Sequence, residues 1–93
     1  MITEGRPRSL EISEMLTKLL PDEARDSLRE ELRTEKTKRR KPLWEGTKVV
    51  GDIISYRVYL GKEVIGSVDV EMSRRDLKGL SFEVFINGRK YQS

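Results

Sequence analysis

The residue types best suited to chemistry in this chain lie in one short segment, residues 36–41, called here the basic run. Five of its six residues are lysine or arginine, and the single tryptophan, Trp44, follows three positions later. Clustered cations bind nucleic acid because they displace the counterions condensed on the phosphates. We therefore predict binding of a phosphate backbone, without sequence specificity, by Lys36, Lys38, Arg39, Arg40 and Lys41.

Two further interpretations stay open for this segment. The basic run also fits a solvated helix end, where cations interact favourably with the helix dipole. Trp44 is either a stacking platform for a base or a residue of the core. A second cationic pair, Arg74 and Arg75, is either an exposed turn or, if it shares a face with the basic run, an extension of the same surface.

The basic run carries the whole excess of positive charge. The net charge is +3, yet residues 1–35 contain nine acidic and six basic residues, and residues 42–93 contain seven acidic and eight basic ones. A basic spot on a nearly neutral body predicts one local contact with a polyanion.

Several classes of chemistry are excluded by composition. The chain has no cysteine and no histidine, so it lacks disulfides, thiol catalysis, zinc–cysteine sites and the commonest general base. Its glycines are scattered singly and form no phosphate-cradling loop. We therefore predict a protein that is not an enzyme and that uses no metal and no cofactor.

One pattern points the other way. The segments "GDII" at residues 51–54 and "DVEMSRRD" at residues 69–76 resemble parts of the pattern of metal-dependent restriction-type nucleases and archaeal Holliday-junction resolvases. That resemblance implies Asp52 and Glu71 as ligands of a divalent cation, for which carboxylates are suitable. The sequence departs from the pattern at Ser73, where the family has lysine, so a degenerate nuclease is the remote alternative.

Two helices are predicted for residues 9–41. Ser9 suits the start of helix 1, whose apolar stripe repeats with helical spacing; it consists of Ile12, Met15, Leu16, Leu19 and Leu20. Pro21 ends this helix and begins helix 2, which would carry the basic run at its far end and stop at Pro42. The stripe of helix 2, Ala24, Leu28 and Leu32, is narrow, and it predicts a surface for a protein partner or a second copy of the chain. That surface carries the main alternative function, an adaptor or homodimerising subunit with no nucleic-acid contact.

The remaining residues, 45–93, alternate apolar and polar side chains, which is typical of half-buried strands. Asn87-Gly88 predicts a type I′ turn that places Val84 opposite Tyr91. The hairpin at Gly61 needs a bulge or a third loop residue to keep both apolar faces on one side. The segment at residues 73–79 is predicted to form one helical turn that is capped by Ser73.

These elements predict an α+β fold and a single domain, residues 1–93, with residues 1–8 frayed. Two N-terminal helices would precede a three- to four-stranded antiparallel β-meander, covered on one face by helix 1. Charged residues make up 38%, and Asn87 and Gln92 are the only amides, a composition typical of thermophiles. With no apolar run long enough for a membrane span or a signal peptide, we expect a cytoplasmic accessory protein with no membrane contact.

Overall fold

The structure is a computed structural model, and it describes residues 9–26, 28, 32–74 and 76–93. Two helices precede five strands: α1 Ser9–Leu19, α2 Asp22–Arg25, β1 Leu32–Glu45, β2 Lys48–Leu60, β3 Glu63–Ser73, β4 Asp76–Ile86 and β5 Arg89–Gln92. The strands form one antiparallel sheet in chain order. The α+β meander is therefore confirmed, but it has five strands and not the predicted three to four. The expected fraying of residues 1–8 lies outside the described residues.

The extra strand is the segment predicted to be the end of helix 2. The helix stops at Arg25, and the whole basic run lies in β1, paired with β2. Helix 2 was predicted to be long because acidic and basic residues recur three positions apart. One of these pairs, Asp22–Arg25, does form, at 3.0 Å. Pairing with β2 overrides this local preference further along the chain, because each β1 residue that joins the ladder gains backbone hydrogen bonds. Pro42 is tolerated because β1 is an edge strand.

Helix α1 packs on one face of the sheet, called here the inner face, through Ile12 and Leu16, and Leu20 directly after the helix is buried with them. Met15 is half-buried, whereas Leu19 is 53% exposed, so its predicted place in the core is wrong. The sheet contributes alternate residues of each strand, as expected for a sheet with one buried face. These are Leu32, Ile54, Tyr56, Val58, Val68, Val70, Met72, Phe82, Val84 and Ile86.

The narrow stripe predicted as a partner surface belongs to this same core. Ala24 and Leu32 are buried, and Leu28 packs against the core cluster. Helix α2 is also tied to β5, because Glu23 Oε2 accepts a hydrogen bond from Arg89 Nη1 at 2.6 Å. The stripe therefore packs against the chain's own sheet, with Leu28 only partly buried.

Two turn predictions are confirmed and a third is wrong. Asn87 and Gly88 both have positive φ, as a type I′ turn requires, and Val84 lies opposite Tyr91. At the Gly61 hairpin, a bulge moves Val58 from Ile65 to Gly66 and keeps the apolar side chains on one face. Ser73 caps no helical turn.

Instead, Ser73 is the last residue of β3 and pairs with Asp76, the first residue of β4. The Ser73 hydroxyl donates to the Val50 carbonyl oxygen at 3.1 Å, and so it links β3 to β2. Among the described residues, no helix is long and apolar enough to cross a membrane.

Candidate nucleic-acid interface

The basic run is interrupted by a bulge at the centre of β1. Lys36 lies opposite Tyr56, and Arg40 lies opposite Ile54, so three β1 residues face the single β2 residue Ser55. A bulge of this kind bends the strand and turns its side chains out of strict alternation. The cations of the run therefore spread to both sides of the sheet edge and do not form one row.

The hydroxyl group of Thr37 holds this bulge together. It donates to the Ser55 carbonyl oxygen at 3.1 Å and accepts the backbone N–H of Arg39, also at 3.1 Å. The bulge removes ladder hydrogen bonds at this point, and one side chain replaces two of them. This second residue of the basic run thus fixes the geometry of the cations around it, a role that its sequence position alone does not indicate.

On the outer face of the sheet, the bulge forms one wall of an open concavity of about 680 Å³. Five cations line it: Lys36, Lys38, Arg39, Lys41 and Arg57. Two carboxylates also line it. Glu35 pairs with Arg33 at 3.1 Å, and Asp69 accepts a hydrogen bond from the Ser55 hydroxyl at 2.8 Å. Both carboxylates are thus engaged by neighbours outside the basic run.

The cations of the run have no comparable partners within the part of the chain that the structure describes. The ion pairs found there all lie elsewhere: Asp22–Arg25, Arg33–Glu35, Glu23–Arg89 and Glu83–Lys90. Lys36, Lys38, Arg39, Arg40 and Lys41 are all exposed. Mutual repulsion of such closely spaced cations is relieved by solvent and salt, or by a bound polyanion.

A second cavity, of about 310 Å³, opens on the inner face at the side of the basic run. Lys36 and Arg74 both line it, so the second cationic pair does share a face with the run through Arg74. The side chain of Arg75 lies outside the described residues. Asp52 lines the same cavity, together with Val50, Gly51, Ile54, Tyr56 and Met72.

Trp44 lies beyond this cavity, near the end of the hairpin formed by β1 and β2. It pairs with Val49, and the two side chains are 58% and 51% exposed, so of the two interpretations of Trp44 the core residue is wrong. All of residues 36–53, called here the hairpin arm, are described, and none of them is buried. An exposed tryptophan on an arm without a core is available for stacking.

The carboxylate pair implied by the nuclease resemblance is not formed. Asp52 lies opposite Met72, and Glu71 lies opposite Ile53. Because successive side chains on a strand point to opposite faces, Asp52 and Glu71 lie on different faces of the sheet. Among the described residues, no group of three or more acidic side chains is placed to hold a metal ion.

In comparisons with known proteins, no family, no curated protein and no solved structure matches this chain. The function is therefore inferred from the geometry of the hairpin arm and from its charges.

Proposed function

We propose that the protein is a non-enzymatic accessory factor that binds the phosphate backbone of nucleic acid along the β1 edge. The observation that carries this proposal is the placement of five exposed cations on a bulged edge strand, four of them lining one open concavity. Phosphate contacts need many cations, spread along a surface and open to solvent, and little shape complementarity.

The edge strand suits this role in two ways. The free side of β1 leaves the cations accessible to solvent. Because the bulge directs them to both faces of the sheet, they can contact a flexible nucleic-acid strand that bends around the sheet edge. The charges also protect the edge from pairing with another sheet, since lysines on edge strands oppose aggregation. Backbone contacts of this kind carry no sequence information, so binding is non-specific.

The features that suggested the two alternatives are arranged differently in the fold. The adaptor interpretation depended on the stripe of helix 2, in which Ala24 and Leu32 are buried and Leu28 packs against the core. The nuclease interpretation depended on Asp52 and Glu71, which lie on different faces. No particular observation favours either over backbone binding.

A binding titration with a charge-matched control tests the proposal. Fluorescently labelled oligonucleotides are titrated at low salt with the wild type and with the triple variant Lys38→Ala, Arg39→Ala, Arg40→Ala. The control triple, Lys18→Ala, Lys62→Ala, Lys78→Ala, removes the same charge from exposed positions that line neither cavity.

The proposal predicts that the run variant loses most of its affinity for every sequence and that the control loses little. If the wild type binds neither DNA nor RNA at low salt, the proposal is wrong and the run is a solvated edge. Equal losses in both triples would show that only net charge matters, and this too would contradict a site on β1.

A further inference from the structure

The inner-face cavity and Trp44 on the hairpin arm are two features that phosphate binding alone does not require. The floor of the cavity is formed by the buried side chains of Ile54, Tyr56 and Met72. A phosphate gains nothing from an apolar floor, because it must keep its polar contacts. A nucleobase does gain, because its faces are apolar and its edges are polar.

The charges around this floor fit a strand of nucleic acid. Lys36 and Arg74 line opposite ends of the cavity, since Lys36 pairs with Tyr56 and Arg74 follows β3 beside Gly51. Tyr56 and Val50 are six positions apart along β2, or roughly 20 Å of extended strand. The cavity is therefore an elongated cleft with a cation at each end and an apolar floor between them.

Trp44 continues this cleft towards the tip of the arm. Arg40 and Pro42 lie opposite Ile54 and Asp52, two residues that line the cavity. The register shift just before Trp44 leaves its extra residue on β2, so alternation along β1 is kept and carries Trp44 to the same side of the sheet edge. This side of the sheet thus presents, in order, a cation, an apolar cleft, a second cation and, on the hairpin arm, an exposed aromatic ring.

We propose that the inner-face cavity and the adjoining side of the arm bind single-stranded nucleic acid, with one unpaired base on the apolar floor and another stacked on Trp44. This inference rests on the proposed function and names its ligand class. A duplex presents phosphates outward and keeps its base faces stacked, so it satisfies the basic run but not the cleft. Single strands present both groups at once.

The intrinsic fluorescence of Trp44 supplies a direct probe, because this is the only tryptophan in the chain. Wild-type protein is titrated with a single-stranded DNA, an RNA of the same sequence and a hairpin duplex with the same number of phosphates. Anisotropy of labelled strands is measured in parallel, so that variants without tryptophan remain testable. Two variants remove the proposed contacts, Trp44→Leu and Arg74→Ala.

Each variant has a matched control at an exposed position away from the cleft. Phe85→Leu removes another half-exposed aromatic ring, on the outer face of β4, and Lys62→Ala removes another turn cation. Equal thermal midpoints of variants and wild type show that the fold is kept.

The inference predicts quenching of Trp44 by single strands and not by the duplex. It also predicts a loss of single-strand affinity of roughly 5- to 150-fold in Trp44→Leu, the range for one stacked base, with both controls close to wild type. The DNA and RNA arms show which sugar the site prefers. Equal affinity for duplex and single strands, unchanged fluorescence and wild-type binding by both variants would overturn the inference and leave the proposed function standing. Absence of binding to all three ligands would overturn both.

Discussion

The two ends of the β1–β2 hairpin differ in what surrounds them. At one end, Val58 is fully buried in a cluster with Leu16 of α1 and Val84 of β4. At the other end, the hairpin arm has no buried residue and holds the basic run and Trp44. The same pair of strands thus contributes to the core at one end and presents an exposed surface at the other. Because of this separation, substitutions at the buried end should change stability, whereas substitutions of exposed residues on the arm should change binding of nucleic acid.

The largest expected effect tests the covered end. Leu16→Ala should lower the free energy of unfolding by about 2–5 kcal/mol, because the lost side chain leaves a cavity in a fully buried site. Chemical denaturation followed by circular dichroism measures this change. Leu10→Ala on the same helix is the control, since Leu10 is 65% exposed and its loss should stay within about 0.5 kcal/mol. Similar values for both would mean that α1 does not pack as described.

The next effect tests how the arm joins the body of the sheet. A Cβ atom at Gly51 would overlap the carbonyl oxygen of Met72, which belongs to the neighbouring strand backbone. Gly51→Ala should therefore destabilise the fold by about 1–3 kcal/mol or more, because strand backbones cannot easily move apart. Gly79→Ala is the matched control, because its new Cβ meets only the movable carboxylate of Glu71. If Gly51→Ala unfolds at the same denaturant concentration as the control, β2 and β3 do not approach closely at this point.

A smaller effect links structure and binding within the arm. Thr37→Val keeps the shape of the side chain but removes both hydrogen bonds that hold the bulge. We expect a loss of about 1–2 kcal/mol in stability, together with weaker binding of nucleic acid because the cations lose their fixed placement. Thr47→Val, in the exposed turn between β1 and β2, should change neither quantity. Unchanged binding of nucleic acid by Thr37→Val would show that the bulge does not contribute to binding.

The sequence predicted the covered end of the molecule better than the arm. Alternation identified the buried faces of β2, β3 and β4, and Asn87-Gly88 identified both the last turn and its register, because these signals are local. Apolar and polar residues do not alternate along the part of β1 that lies in the arm, because both faces of the strand are open to solvent there. The charge pairs that begin at Asp22 then favoured a long helix 2. The basic run was therefore predicted at the end of a helix, whereas it lies in β1.

For the candidate site, the sequence supplied the residue types but not their arrangement. The basic run was evident from composition, whereas the bulge depends on pairing with Ser55. Arg74 and Lys36 are far apart in the chain, and only the meander brings them to one cavity. The signals that were available for a strand were the β-branched residues Thr34 and Thr37, together with a proline that an edge strand tolerates.

The salt dependence of binding tests the central claim, that the arm binds phosphates, most directly. Affinity for a single strand is measured over a series of salt concentrations for the wild type, the run triple Lys38→Ala, Arg39→Ala, Arg40→Ala, and the control triple at Lys18, Lys62 and Lys78. Each cation that engages a phosphate adds about 0.7–0.9 to the slope of log affinity against log salt. The account predicts that the run triple lowers this slope by roughly 2–3 on every sequence, while its stability stays within about 0.5 kcal/mol per exposed substitution. A wild-type slope near zero, or an equal fall in the control triple, would contradict it.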